Sequence, residues 1–266
     1  MKKLKFLIIA LIILTLIIVI AISIIYREPK VPILCYHNVA TKEENSKFPD
    51  EHLWTISVDN FEEEMKYLHD NNYKTLTMDE FYKWKKGEIE VPFKSVLITF
   101  DDGLLSNYYY AFPILKKYNI NASVFVIGKC IVKSDEDSDE WDGNIVTYMS
   151  RDILKKCKEE YPNVKFYSHT YNLHNKGDIE KSYDDICKDC DEFNENIKNS
   201  EYLAYPFGDY NDNIKQVLKD KKYKLAFTFR DNRKATRNDD DYAINRINVS
   251  TDKPLYKFAL RLLLPY

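Results

Sequence analysis

Beyond an opening stretch, apolar and polar positions in this chain follow two alternating rhythms. The opening has neither. From Phe6 to Ile25 run about 20 residues, polar only at Thr15 and Ser23, long enough to cross a bilayer as a helix. Lys2, Lys3 and Lys5 precede it and favour a cytoplasmic N-terminus, which sends everything after Arg27 to the outer side. Residues 1–27 therefore read as an uncleaved transmembrane anchor holding an extracellular domain on the cell membrane. The alternative is cleavage at the weak exit Ala21-Ile22-Ser23, which would secrete the domain. A buried core helix does not suit so long and pure a run.

The rhythms after it switch between strand and helix. "VPILCYHNV" (31–39) predicts a strand, and "VDNFEEEMKYLHDNN" (58–72) a helix with Phe61, Met65 and Leu68 on one face. "YKTLT" and "MDEFYKWKKG" follow as strand and helix, with Gly87 as C-cap. "KSVLITF" is the continuous apolar run of a strand buried on both faces. "LLSNYYYAFPILKKYN" predicts a helix interrupted by proline, and "ASVFVI" another buried strand. Residues 130–147 are acidic and read as a surface loop. "RDILKKCKEEY", "VKFYS" and "DIEKSYDDICKDCDEFNENIKN" continue as helix, strand and helix. "EYLAYPFG", "DNIKQVLKDKKY" and "KLAFTF" repeat the alternation, and "YAINRINV" and "PLYKFALRLLL" close the chain. Such alternation predicts an α/β fold with a parallel sheet, open or closed into a barrel. Residues 28–266 read as one domain without internal repeats.

Composition narrows the function classes. The 266 residues carry a formal charge of -3, so no global field recruits nucleic acid. The 21 tyrosines suit a packed fold or a sugar-stacking surface equally. Five cysteines are scattered, and Cys187-Lys-Asp-Cys190 has no second pair to make a zinc site, so these read as helix residues. Trp84 reads as helix packing, while Trp54 and Trp141 could line a glycan groove. His52 and His69 receive no role.

The chemistry gathers at strand ends. In either α/β architecture, ligands collect at the C-terminal ends of parallel strands. Four polar clusters fall there: "CYHN" with His37, "TFDDG" with Asp101 and Asp102, "YSHTYNLH" with His169 and His174, and "AYPFG" with Tyr205 to Gly208. Asp-Gly alone is a common turn dipeptide. A turn does not explain histidines at neighbouring strand ends. Two neutral imidazoles and a carboxylate make a three-ligand set for a catalytic zinc. His169 and His174 are five apart, about 140° around a helix axis, so a loop suits them better than a helix.

"TFDDG", "SHTYNLH" and "AYPFG" resemble the motifs of the polysaccharide deacetylases, the NodB-homology group called carbohydrate esterase family four. The likeness spans roughly Val31 to Val249. The strand "PILCYHNV" and the five-residue histidine spacing look most like the circularly permuted branch acting on poly-N-acetylglucosamine. In that branch a first-strand histidine replaces a late one, and this chain has no histidine after His174. The resemblance implies a distorted (β/α)7-type barrel and a divalent metal, zinc favoured, held by Asp102, His169 and His174. It implies Asp101 as general base and His37 as general acid. Tyr205, Pro206, Phe207 and Gly208 would form the oxyanion and substrate turn, with the Phe207 N–H as donor. The substrate would be an N-acetylglucosamine polysaccharide, poly-N-acetylglucosamine or peptidoglycan, releasing acetate and an amine. A glycan-binding relative without activity is disfavoured, because no ligand or base is missing. One departure stands out: the arginine that many members carry two residues before the motif proline is Ala204 here. Arg246 in "AINRINV" is the candidate replacement.

Overall fold

The computed structural model describes residues 30–264 and, before them, Ile9, residues 11–16 and Ile18, all helical. Most of the expected anchor thus lies outside the described residues. Among those described, no helix is long and apolar enough to cross a membrane.

The strands are β1 (Ile33–Tyr36), β2 (Asn38–Ala40), β3 (Thr55–Ser57), β4 (Lys74–Thr75), β5 (Ser95–Phe100) and β6 (Ala122–Val126). They continue with β7 (Val164–Ser168), β8 (Tyr202–Ala204), β9 (Leu225–Thr228), β10 (Ile244–Asn245) and β11 (Ile247–Asn248). The main sheet runs β10-β9-β8-β7-β6-β5-β1-β11, every pair parallel, with β4 paired to the start of β5. Its two edges, β10 and β11, are separated in sequence by Arg246 alone. The stretch Ile244–Asn248 therefore pairs with β9 through its first half and with β1 through its second. The result is a nearly closed barrel, and the alternation read from the sequence is the alternation observed.

Strand periodicity divides the core in two. Leu34, Tyr36, Val96, Ile98 and Phe100 pack outward against helices such as Val58–Asp70, Phe112–Lys117 and Leu255–Leu263. Ile33, Leu97, Phe125, Leu225 and Phe227 belong to the other cluster, together with Phe81 and Trp84 of helix Met78–Lys85. The helices begin where their caps dictate. Ser57 accepts from Asn60 N to start Val58–Asp70, and Thr77 with Glu80 forms a capping box for Met78–Lys85. Trp84 is fully buried in that packing, as its helical setting predicts.

Three local expectations need correction. The strand expected over 31–39 breaks at His37, and its second part, β2, pairs with β3 in a separate two-stranded sheet. The first residues of the acidic loop at 130–147 are helical, in Gly128–Lys133 and the 3₁₀ turn Ser134–Glu136. The proline-interrupted helix starts at Leu105 and widens at once into a π turn, Asn107–Ala111, in which Phe112 N reaches back to Asn107 O. Pro113 follows with no N–H to donate, so the wider turn sacrifices nothing at that position.

Candidate active site

Leu97, Thr99 and Asp101 alternate onto one face of β5, so the strand itself aims Asp101 inward, where it is completely buried. Period two would send Asp102 to the opposite face. The chain instead turns: Asp102 has φ +71°, Gly103 N donates to Asp101 O at 2.9 Å, and both carboxylates come to the same cleft. Gly103 makes this turn feasible. Its φ is +83°, and a Cβ there would meet Val126 Cγ1 at 2.8 Å.

Asp101 is matched by Arg246. Nη1 and Nη2 each donate to one carboxylate oxygen at 2.7 Å, and neither side chain is exposed. The guanidinium lies 5.5 Å from the Phe125 ring, and Nη1 is 3.4 Å from Thr99 Oγ1. Burial alone would raise the Asp101 pKa; the Arg246 charge overrides it and holds the carboxyl well below the usual range. Arg246 stands on the closing strand, so the cation missing at Ala204 arrives from the seam of the barrel.

His169 follows β7, and its Nδ1 lies 2.8 Å from Ala204 O. A carbonyl can only accept, so Nδ1 carries the proton and the unprotonated Nε2 faces Asp102 Oδ1 from 3.5 Å. Burial lowers the His169 pKa to about 4, leaving the ring neutral at neutral pH. His174 Nε2 points at the same oxygen from 3.3 Å; burial opposes its charge, but Asp102 raises its pKa. One ligand atom from each of Asp102, His169 and His174 lies within 4.8 Å of the others. Asp102 Oδ1 and the His169 Nε2 lone pair face each other with His174 Nε2 beside them, and two imidazoles with a carboxylate are a fitting donor set for a cation in that gap.

The loop bearing these histidines is fastened from two sides. Asp189 of helix Tyr183–Asn196 accepts from Tyr171 N at 2.8 Å and Asn172 N at 2.7 Å. Gly128 N and Lys129 N donate to Thr170 O and Tyr171 O. At Gly128 a Cβ would lie 2.6 Å from the Tyr171 ring, so glycine permits the approach. Thr170 adopts φ +68°, and that turn carries the chain toward His174.

His37 faces this group across the cleft, its Nε2 4.0 Å from Asp101 Oδ2. Ser250 Oγ lies 3.3 Å from Cys35 O, to which it donates, and it accepts from His37 Nδ1 at 3.0 Å. That fixes the tautomer and turns Nε2 to the cleft. The Trp54 ring lies 4.7 Å from the His37 ring. The cleft measures about 320 Å³ and is walled further by Glu51, Val146, Tyr148, Phe207 and Phe229.

The "AYPFG" turn contributes less than its four residues suggest. Phe207, at φ +58° and 42% exposed, presents its ring 5.0 Å from His174. Tyr205 points elsewhere, wholly buried, with its hydroxyl on Tyr242 O. Pro206 and Gly208 shape the turn and do not line the cleft. The turn's hydrogen bonds use the amides of Gly208 and Asp209, not that of Phe207. Trp141 also lies off the cleft, bonded to Glu44 and Tyr110.

Sequence reasoning missed Cys35, Ser250, Glu51, Tyr148 and Asp189. Cys35 had a signal: it sits two residues before His37, and its Sγ is 3.5 Å from Asp101 Oδ2. Ser250 lies two residues past the end of the closing strand, another usable cue. All five cysteines are free thiols.

Comparison with known proteins agrees with this geometry. A family profile described as polysaccharide deacetylase matches residues 88–226. A Staphylococcus aureus protein named poly-beta-1,6-N-acetyl-D-glucosamine N-deacetylase is 33% identical over 215 residues, covering 75% of this chain and 69% of that one. Two solved structures share the fold. The Streptococcus pyogenes deacetylase PplD, in complex with acetate, superposes with a TM-score of 0.72 at 24% identity, over 89% of this chain and 99% of that one. IcaB from Ammonifex degensii gives 0.67 at 24% identity, over 90% and 99%.

Proposed function

The chain belongs to the polysaccharide deacetylase family, and from that premise we propose a divalent-cation-dependent N-deacetylase acting on an extracellular N-acetylglucosamine polymer. A poly-β-1,6-linked glycan is favoured over peptidoglycan, supported by the name of the S. aureus relative. The observation that carries the reading is one cleft lined by both the Asp102, His169 and His174 donor set and Asp101, with Arg246 paired behind it.

Asp102, His169 and His174 would hold the cation, and zinc suits two imidazoles and a carboxylate. Bound there, it would supply Lewis acidity, lowering the pKa of water and polarising an acyl oxygen. The chain's own groups do the rest. Asp101, kept ionised by Arg246, accepts the proton of the attacking water. The Phe207 amide donates to the developing oxyanion. His37, protonated at Nε2 and oriented by Ser250, gives its proton to the departing nitrogen. Acetate and a free glucosamine amine result.

The anchor reading of residues 1–27 is part of the proposal. Supporting it, Ile12, Ile13, Leu14 and Leu16 are all exposed on a helical stretch whose one polar side chain among the described residues, Thr15, bonds back to Ile12 O. The deciding experiment measures acetate released by the full chain in detergent from poly-β-1,6-N-acetylglucosamine and from peptidoglycan, before chelation, after it, and after zinc is restored. Release lost and regained with metal is expected. Metal-loaded protein inert on both glycans would refute the activity, and release from peptidoglycan alone would reassign the substrate.

A further inference from the structure

Glu51 is the cleft carboxylate without a partner. It closes the 3₁₀ turn Pro49–Glu51, and its backbone is firmly held. Its N–H donates to Phe48 O at 3.0 Å, and its carbonyl accepts from Trp54 N and Thr55 Oγ1, each at 2.9 Å. Among the described residues, nothing hydrogen-bonds to its carboxylate or pairs with its charge. Asp101 has Arg246, and Asp102 has two imidazoles beside it.

The surroundings make that isolation costly. Glu51 is half-buried in the cleft wall. Burial raises its pKa, and the like charges of Asp102 and Asp50 add to the rise, while His37 acts against it. Lys47, the nearest lysine in sequence, is engaged with Glu43 at 3.4 Å. Among the described residues, no lysine or arginine lines the cleft. Trp54 shares the wall, 36% exposed, three residues beyond Glu51. An aromatic face beside a lone carboxylate suits a sugar ring that carries a positive charge. A hexosamine freed of its acetyl group is such a sugar.

We propose that Glu51 receives the ammonium of a glucosamine residue next to the one being deacetylated, so that the cleft prefers chains already partly deacetylated. The proposal rests on the deacetylase reading given above and deepens its substrate. Each amine set free then favours reaction at its neighbour. The same charge turns away glycans that carry carboxylates.

The test measures binding by calorimetry to the zinc-loaded full chain in detergent at neutral pH, and needs no turnover. Two ligands are compared, a β-1,6-linked glucosamine tetramer and the β-1,6-linked glucose tetramer. They differ only in ammonium against hydroxyl at C2, and neither has an acetyl group to lose. The unaltered chain should bind the amine tetramer about fivefold more tightly. Salt near about 1 M should erase that difference. Glu51→Gln should bind both tetramers alike, with the affinity of the unaltered chain for the glucose tetramer. Failure to bind the amine tetramer, or equal affinities in the unaltered chain, overturns the proposal. A preference that survives in E51Q also overturns it, and would belong to the metal site. So does an E51Q that weakens both ligands equally, the mark of a merely structural side chain. Acetate release from the N-acetylated polymer is read in parallel. Its absence beside an intact amine preference would strike the deacetylase reading and leave Glu51 as an amine-binding group.

Discussion

The Asp101–Arg246 pair yields the sharpest prediction. Both side chains are fully buried and joined by two 2.7 Å bonds. Removing one member of such a pair strands the other charge in a low dielectric, at a cost of about 3–5 kcal/mol. Replacing both with apolar groups removes the desolvation penalty along with the attraction, and is often close to neutral. Arg246→Met should therefore destabilise the domain by about 3–5 kcal/mol. At roughly 2–4 °C per kcal/mol for a domain of this size, the melting temperature should fall by about 6–20 °C. The double variant R246M/D101L should recover most of that loss while remaining inactive. The assay is thermal unfolding of metal-free protein, with the four corners of the cycle compared under one condition. A shift of only a degree or two in R246M, or no recovery in the double variant, would refute the view of Arg246 as the counter-charge that makes Asp101 tenable.

Three further outcomes are expected. Asp102→Ala should lose zinc in equilibrium dialysis while keeping the fold, whereas Asp101→Asn should retain zinc and lose turnover; normal turnover in D101N would remove it as base. Asp189→Asn should weaken metal affinity by about 10–100-fold, as loss of an outer support to ligands does, with much of the activity regained at saturating metal; an unchanged affinity would show that the histidine loop needs no such fastening. Glu64 is buried against the Tyr36 hydroxyl at 2.7 Å, and burial raises its pKa to about 8. The folded state then holds a proton that the unfolded state releases near pH 4–5, so stability should decline as pH rises from about 5 to 8. Melting curves of Glu64→Gln should lose that slope, and a parallel slope in the variant would assign it to other groups.

The motifs were legible because the site is built at strand ends. "TFDDG", "SHTYNLH" and "CYHN" each follow an apolar run that sequence alone marks as a strand, and parallel strands deliver their ends to one face. What stayed hidden depends on contacts between distant segments. Whether the sheet was open or closed could not be read from alternation, since closure rests on two short pairings of Ile244–Asn248. Asp189 looked like one more acidic residue on a charged helix, and only the approach of Tyr171 and Asn172 gives it a task. The π turn before Pro113 was foreshadowed by the proline, though its width was not. The break at His37 had no local mark, because every residue from 31 to 40 is buried, on either side of the break.

Arg246 occupies the seam at which the ring of strands meets itself, its own N–H bonded to Thr228 O. Architecture and chemistry thus hang on a single residue. A molecule whose last strand has come away presents an aspartate stripped of its counter-charge, so an incompletely assembled barrel is an inert one. Opening at the seam would act as a fuse, extinguishing catalysis before the rest of the domain gives way.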